Sequence, residues 1–209
     1  MKLPLFPLNT VLFPGCTLDL QIFEARYLDM IGRCMKQGEG FGVVGILEGQ
    51  EVGEAASQFA AIGCEAQIRD WEQRPNGLLG IRVEGGRRFR VRTAQVLKDQ
   101  LTVAEVEWLE DEPERPLRAE HADLAALLNA LAEHPMVQGL GMGGVVTGQQ
   151  ALANQLAYLL PFPVPEKLHL LGLGSVDERL GVLQGMLDQL QGDSPAWARS
   201  RSVSAPAPA

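Results

Sequence analysis

Lysine and serine are the residue types through which this chain would hydrolyse a nucleotide or cleave a peptide bond, and neither stands where that chemistry needs it. A phosphate-binding loop places Gly-Lys-Ser/Thr after a glycine-rich stretch, so that backbone N–H groups and the lysine cradle phosphates. The chain has four lysines, Lys2, Lys36, Lys98 and Lys167, and none follows a glycine. A serine nucleophile needs a base within hydrogen-bond reach. The serines are Ser57, Ser175, Ser194, Ser200, Ser202 and Ser204. The last three lie in a tail of Ser, Ala, Pro and Arg, Ser194 sits at its edge, and Ser175 reads as a helix cap. Gly139-Leu140-Gly141-Met142-Gly143-Gly144 fits the dinucleotide spacing G-x-G-x-x-G. That pattern works only between a strand and a helix of a βαβ unit. Here it follows a helical stripe and His134-Pro135, so it reads as an inter-helix loop.

Metal and redox chemistry find no better footing. His121, His134 and His169 have no ligand spacing and read as surface or cap residues. Cys16, Cys34 and Cys64 form no Cys-x-x-Cys pair. They read as reduced, buried thiols of a cytoplasmic protein. No cofactor and no metal are expected. Glu24 and Arg26 bracket a helix start and read as fixing a strand-to-helix corner.

The remaining chemistry-bearing cluster is basic. Arg87 to Thr93 alternates, with Phe89 and Val91 on one face and Arg88, Arg90 and Arg92 on the other. Such a strand could meet nucleic acid, but its only interleaved aromatic, Phe89, falls on the opposite face, and acidic neighbours such as Glu84 are at hand. A solvated strand face is the expectation.

The elements that must position these residues follow from periodicity. The chain has 209 residues, 46% of them apolar and 21% charged, enough for a real core. A formal net charge of −8 disfavours general affinity for nucleic acid or anionic membrane. Apolar runs such as Phe41 to Leu47 are too short to span a bilayer. The apolar N-terminus is broken by Pro4, Pro7 and Pro14 and carries only Lys2, so no signal peptide is expected. Residues 3–22 read as extended with a turn at Pro14-Gly15. Residues 24–36 place Tyr27, Ile31, Cys34 and Met35 on one helical stripe, ended by Gly38. Strands follow at Phe41–Leu47, Cys64–Trp71, Leu79–Val83, Arg87–Thr93 and Leu101–Trp108. Turns are predicted at Arg74-Pro75-Asn76-Gly77 and at Glu84-Gly85-Gly86. After the acidic, proline-marked stretch Glu110 to Pro116 the period changes to 3.6. Leucine stripes at Leu117, Leu124, Leu127, Leu128 and Leu131, and at Leu152, Leu156, Leu159 and Leu160, precede a capping box at Ser175-Val176-Asp177-Glu178. That box opens a helix with Leu180, Leu183, Leu187 and Leu190 on its apolar face.

Certain segments carry a resemblance. Leu3-Pro4-Leu5-Phe6-Pro7-Leu8, the helix entry Phe23-Glu24-Ala25-Arg26-Tyr27-Leu28, then Phe41-Gly42-Val43-Val44, Gly63-Cys64-Glu65-Ala66 and Gly86-Arg87-Arg88-Phe89-Arg90-Val91 occur in the order seen in Lon protease N-terminal domains. Leu156 to Pro161, Glu166-Lys167-Leu168 and Leu170-Leu171 resemble that family's helical part. Gly172 departs from it, since the family often has an acidic residue there. The resemblance covers roughly residues 3–191. It implies an α+β fold: an N-terminal PUA-like mixed β pseudo-barrel followed by a C-terminal helical bundle. We expect a β-rich subdomain over 1–112, a helical subdomain over 117–191 and a disordered tail over 194–209.

The reading is a free-standing, non-enzymatic, cytoplasmic binding module, taking exposed and partly apolar polypeptide or unfolded-protein segments in a quality-control or adaptor role. A protease or ATPase acting in trans is the further partner the resemblance implies. The candidate ligand-binding residues are Phe6, Phe13, Phe23 and Tyr27, where prolines hold extended backbone near aromatics. The rival readings are RNA binding through Arg88, Arg90 and Arg92, or a small-molecule sensor pocket between barrel and helices. The absent Gly-Lys-Ser/Thr loop and serine–lysine pair predict that purified protein neither hydrolyses ATP nor degrades casein. A phosphate-release assay and a gel of casein incubated with fresh preparations check this.

Overall fold

The computed structural model of the chain describes residues 1–192; the expected tail over 194–209 lies outside the described residues. Seven strands form one mixed sheet: β1 (Lys2–Leu8), β2 (Thr17–Ile22), β3 (Phe41–Glu48), β4 (Gln58–Phe59), β5 (Ile62–Gln73), β6 (Leu79–Val96) and β7 (Thr102–Trp108). The order β1-β7-β6-β5-β3 closes on itself, because β3 also pairs in parallel with β1 through Leu5↔Gly42 to Leu8↔Gly45. The result is a pseudo-barrel, with β2 added along β6 and β4 along β3. Helix α1 (Ala25–Gln37) lies between β2 and β3. A 3-10 turn at Ala119–His121 leads into α2 (Ala122–Ala132), α3 (Pro135–Gly139), α4 (Gln149–Leu159), α5 (Val164–Gly172) and α6 (Val176–Gly192). The fold is thus α+β, and among the described residues no helix is long and apolar enough to cross a membrane.

Strand alternation feeds two apolar clusters. Leu3 and Leu5 join Val44, Phe89, Ala104 and Val106 in the smaller. Phe6 and Leu8, on the opposite face of β1, join α1 and the leucines of α2, α4, α5 and α6 in the larger. The second cluster runs continuously through both halves of the chain. Close packing sets where side chains are forbidden: a Cβ on Gly63 would lie 2.6 Å from the Phe89 ring and 2.5 Å from the Val43 carbonyl oxygen.

The predicted turn at Glu84-Gly85-Gly86 is not a turn. β6 runs through it as one strand of 18 residues. Glycine is needed there because the Phe13 carbonyl approaches so closely that a Cβ on Gly85 would collide with it. Gly15 N–H donates to Gly85 O, and Gly85 N–H to Cys16 O, both at 2.8 Å. The Asn76-Gly77 turn does form, with Gly77 at φ +82° and its N–H donating to Arg74 O at 2.9 Å. On α1, Tyr27, Ile31 and Cys34 are buried as expected but Met35 is exposed.

Arg88 is the larger correction. The alternation that sets it opposite Phe89 is observed, but that face is covered at Arg88 by the C-terminal end of α5. The side chain is 2% exposed. Its Nη1 donates to Leu171 O and Leu173 O, both at 2.7 Å, and its Nε to Asp111 Oδ1 at 2.7 Å. Arg179 of α6 reaches the same helix end, donating from Nε to Leu170 O at 3.0 Å and from Nη2 to Leu173 O at 2.8 Å. Its Nη1 donates to Asn154 Oδ1 at 2.7 Å. Burial, then the neighbouring Arg88, lowers the Arg179 pKa to about 10, which leaves it charged at neutral pH.

The acidic stretch between barrel and helices is also ordered by specific contacts. Glu114 accepts from the N–H groups of Gln150 and Ala151, at 2.8 and 3.1 Å, in the first turn of α4. Glu112 accepts from the Val176 N–H at 3.2 Å, where α6 begins. Both carboxylates meet orphan donors at the positive end of a helix. Removing one partner of a buried, hydrogen-bonded ion pair costs ~3–5 kcal/mol, whereas an exposed pair is worth about 1 kcal/mol or less. Arg88→Ala should therefore lower the thermal midpoint by roughly 10 °C, while Arg92→Ala, 57% exposed and paired with Glu107, should move it little. Differential scanning fluorimetry of the two variants checks this.

Candidate functional site

The predicted aromatic residues divide between core and surface. Phe6 packs on Tyr27 with ring centroids 4.0 Å apart and on Phe41 at 5.9 Å. Phe6, Phe13 and Tyr27 are 6%, 0% and 5% exposed, so the expectation that they offer an accessible surface is corrected. Phe6 and Tyr27 bury each other because α1 packs on that face of β1, and Phe13, in the segment after β1, joins the same apolar cluster. Phe23 alone is open, at 53% exposure, on the corner between β2 and α1. Glu24 and Arg26 hold that corner. Arg26 is buried, contacts Glu24 at 3.0 Å and donates to Gln100 O at 2.9 Å, tying α1 to the β6–β7 turn.

The arginine strand is dispersed as well. Arg88 is internal, Arg92 pairs with Glu107, and Arg90 is exposed. Arg87 stacks over the Trp108 ring at 4.0 Å and lies 3.6 Å from Glu65. Arg82 makes two bonds to Asp19, at 2.7 and 2.8 Å, and this bonding holds the Asp19 carboxyl below its usual range. On this strand, among the described residues, no open run of unpaired cations results.

The structure instead assembles an apolar rim that the sequence reading missed. Trp71 stands 58% exposed near the end of β5. It forms a shared wall of two openings. One, of about 400 Å³, is bounded by Phe23, Leu28, Trp71 and Leu79. The other, of about 500 Å³, runs between the start of β1, the end of α1 and β5, with Met1, Met35 and Trp71 on its border and Glu39, Glu65, Arg69 and Asp70 within it. Leu28 and Met35 lie seven residues apart on the outer face of α1, with Gly32 between them. One signal was present in the sequence: Trp71 is the one aromatic in a run of charged and amide residues, Arg69-Asp70-Trp71-Glu72-Gln73. Such a side chain has no core to enter.

Groups suited to covalent chemistry are withdrawn from solvent. Burial pushes the thiols of Cys16 and Cys64 well above their ordinary range, and Cys34 is raised as well. Burial lowers Lys167, whose Nζ donates to Tyr158 O at 2.5 Å. His134 accepts from Met136 N–H at 3.3 Å as the cap of α3, and His121 accepts from Arg118 N–H at 3.3 Å. Gly139 to Gly144 starts at the last residue of α3, without a preceding strand, and its Gly139 carbonyl accepts from Arg82 at 2.9 Å. Among the described residues no cluster of His, Cys, Asp and Glu could hold a metal ion. The two kinds of aromatic should separate in stability: Phe13→Ala should cost ~3–5 kcal/mol, and Phe23→Ser less than about 0.5 kcal/mol. Urea unfolding followed by circular dichroism measures both.

Comparison with known proteins agrees with the fold. The solved Lon N-terminal domain protein from Xanthomonas campestris is 35% identical, with a TM-score of 0.70 over 93% of this chain and 99% of that one. The N-terminal domain of a Mycobacterium avium complex Lon protease shares the fold at 20% identity, with a TM-score of 0.61 over 93% and 100% of the two chains. Lon protease of Flavobacterium johnsoniae is 24% identical over 203 residues, and Lon protease 2 of Herpetosiphon aurantiacus 27% over 201. These matches cover 91% and 90% of this chain but only 24% of each relative, so the chain spans about a quarter of the length of the curated relatives it matches. Residues 2–189 match the family described as the ATP-dependent protease La (LON) substrate-binding domain, and the chain belongs to that family.

Proposed function

We propose that this protein is a non-catalytic, cytoplasmic module that captures exposed, partly apolar polypeptide segments, and that capture occurs on the rim around Trp71 rather than on Phe6, Phe13 or Tyr27. The observation that carries this is the joint exposure of Phe23, Leu28, Met35 and Trp71 around two adjoining openings. Side chains of this size left in water on a chain with a large shared core favour a partner. Membership of a substrate-binding family supports the class of ligand. A role as adaptor to a protease or ATPase in trans is consistent with both.

RNA binding is less well supported, since Arg88 is spent on α5 and the exposed Arg82 and Arg92 are paired with carboxylates.

Covering a half-exposed Phe or Trp contributes on the order of 1 kcal/mol each. Phe23→Ser with Trp71→Ser should therefore weaken binding of reduced, carboxymethylated α-lactalbumin by about tenfold or more, with thermal stability unchanged. Fluorescence anisotropy with labelled ligand measures this. Undiminished binding by the double variant would move the site elsewhere. Tight binding of an RNA oligomer that falls steeply with salt would replace the reading.

A further inference from the structure

Helix α1 runs past both openings that flank Trp71. Its Leu28 borders the one of about 400 Å³, with Phe23 at the end. Its Met35 borders the one of about 500 Å³, with Ile68 on the β5 side. Leu28 and Met35 stand seven residues apart in one helix. At 1.5 Å per residue, the points where α1 meets the two openings are therefore about 10.5 Å apart.

That spacing decides what form of polypeptide could fill both. In an extended chain, at ~3.3 Å per residue, it corresponds to about three residues. Residues i and i+3 of a strand point to opposite faces, so only one of the two could enter. In a helix the same distance is two turns, and residues i and i+7 share one face.

The wall common to the two openings favours the same form. Away from its ends, the main-chain groups of α1 are bonded within the helix. It offers no ladder to an extended chain, and a segment laid on it must satisfy its own backbone. Gly32 lies between Leu28 and Met35, and a Cβ built there meets no heavy atom within 4 Å. The position is a notch open to the outside. With the exposed Ala25 it completes a seam spaced three, four and three residues apart: Ala25, Leu28, Gly32, Met35. Small and large side chains alternate along it, which makes the holes and knobs that a second helix can interdigitate. A glycine at the crossing lets two helix axes come to about 8 Å, the near end of the usual range.

The charges of the larger opening offset one another. Lys2 stands with Glu39 and Asp70 in the lining, Glu65 lies 3.6 Å from Arg87, and Arg69 is held by Glu84 at 2.7 Å. Nothing there calls for a charged anchor, and the exposed side chains of Met35 and Trp71 supply the apolar contact.

We propose that the two openings take one segment of bound polypeptide as an amphipathic helix lying along α1. Large apolar side chains at i and i+7 enter the openings on either side of Trp71. Small residues at i+3 and i+4 let the helix pass Trp71 and approach α1 at Gly32. The inference rests on the polypeptide-capture reading above and assigns the captured segment a conformation, with anchors at helical spacing supplying the affinity.

The test uses the full chain and three fluorescein-labelled, alanine-rich peptides of equal length. One carries Leu at i and i+7, one carries the same two Leu at i and i+5, and one is the first peptide with Pro at i+3. Anisotropy titrations should show the i, i+7 peptide tightest and the other two at least tenfold weaker. Gly32→Leu fills the notch without meeting a neighbour, so it should weaken the i, i+7 peptide at least tenfold while melting curves show the fold intact. A Pro peptide that binds as well as its parent, in a manner still lost with Trp71→Ser, would overturn the helical form and leave polypeptide capture standing. Equal affinity for the i, i+5 peptide would overturn the two-anchor spacing, and undiminished binding by Gly32→Leu would overturn the approach along α1. Binding of carboxymethylated α-lactalbumin without binding of any peptide would also overturn the helical form alone. Failure of every ligand to bind would overturn both readings.

Discussion

Two guanidinium groups meeting at one helix end hold this molecule together. The last carbonyls of α5 carry the negative end of its dipole and lie past its regular bonding, with only a long 3.4 Å bond from the Leu173 N–H to Leu170 O closing the helix end. Arg88 arrives from the barrel and Arg179 from the last helix, and together they bond the carbonyls of Leu170, Leu171 and Leu173. Neither cation could be buried alone at reasonable cost. Asp111 and Asn154 complete their coordination, so the exit from β7, the helix α4 and the helix α5 become mutually dependent. An apolar interface tolerates sliding, whereas forked donors aimed at particular carbonyls do not. The contact between barrel and helices is therefore fixed in register as well as in area.

The acidic stretch after Trp108 follows the same logic. Its composition suggests a loose joint between subdomains. Its carboxylates instead meet the N-termini of α4 and α6, while Arg115 joins Glu112 to Asp177. Capping charge at helix starts and guanidinium at a helix end make one polar frame around the shared leucine core. The exposed apolar side chains Phe23, Leu28, Met35 and Trp71 take no part in that frame: they stand on the outer face of α1, at the corner before it and near the end of β5.

The opening beside β3 is a consequence of closing a small barrel with strands of unequal length. β5 and β1 extend past the point where β3 begins, and the chain that could have filled the gap forms the end of α1 instead. The molecule thus combines a bonded scaffold with an opening bordered by the exposed apolar side chains of Met35 and Trp71.

The sequence by itself determined the class of the fold. Period-two stretches before Trp108 and leucine stripes after it dictated strands and helices, because local periodicity reflects which face of an element is buried. The Asn76-Gly77 turn and the Gly38 helix stop were legible for the same local reason. Three things required the tertiary structure. Gly85 resembled a turn glycine, since a close approach by Phe13, distant in sequence, leaves no local mark. Arg88 resembled a surface residue, since alternation says which side a residue faces but not what covers that side. Phe6, Phe13 and Tyr27 resembled a binding surface until α1 was seen to pack Tyr27 onto Phe6 and Phe13 was seen to join the same apolar cluster. Trp71 came to border openings shared with Phe23, Leu28 and Met35 only through the closure of the sheet and the placing of α1 beside it, because which surface residues become neighbours is settled by contacts across the whole chain.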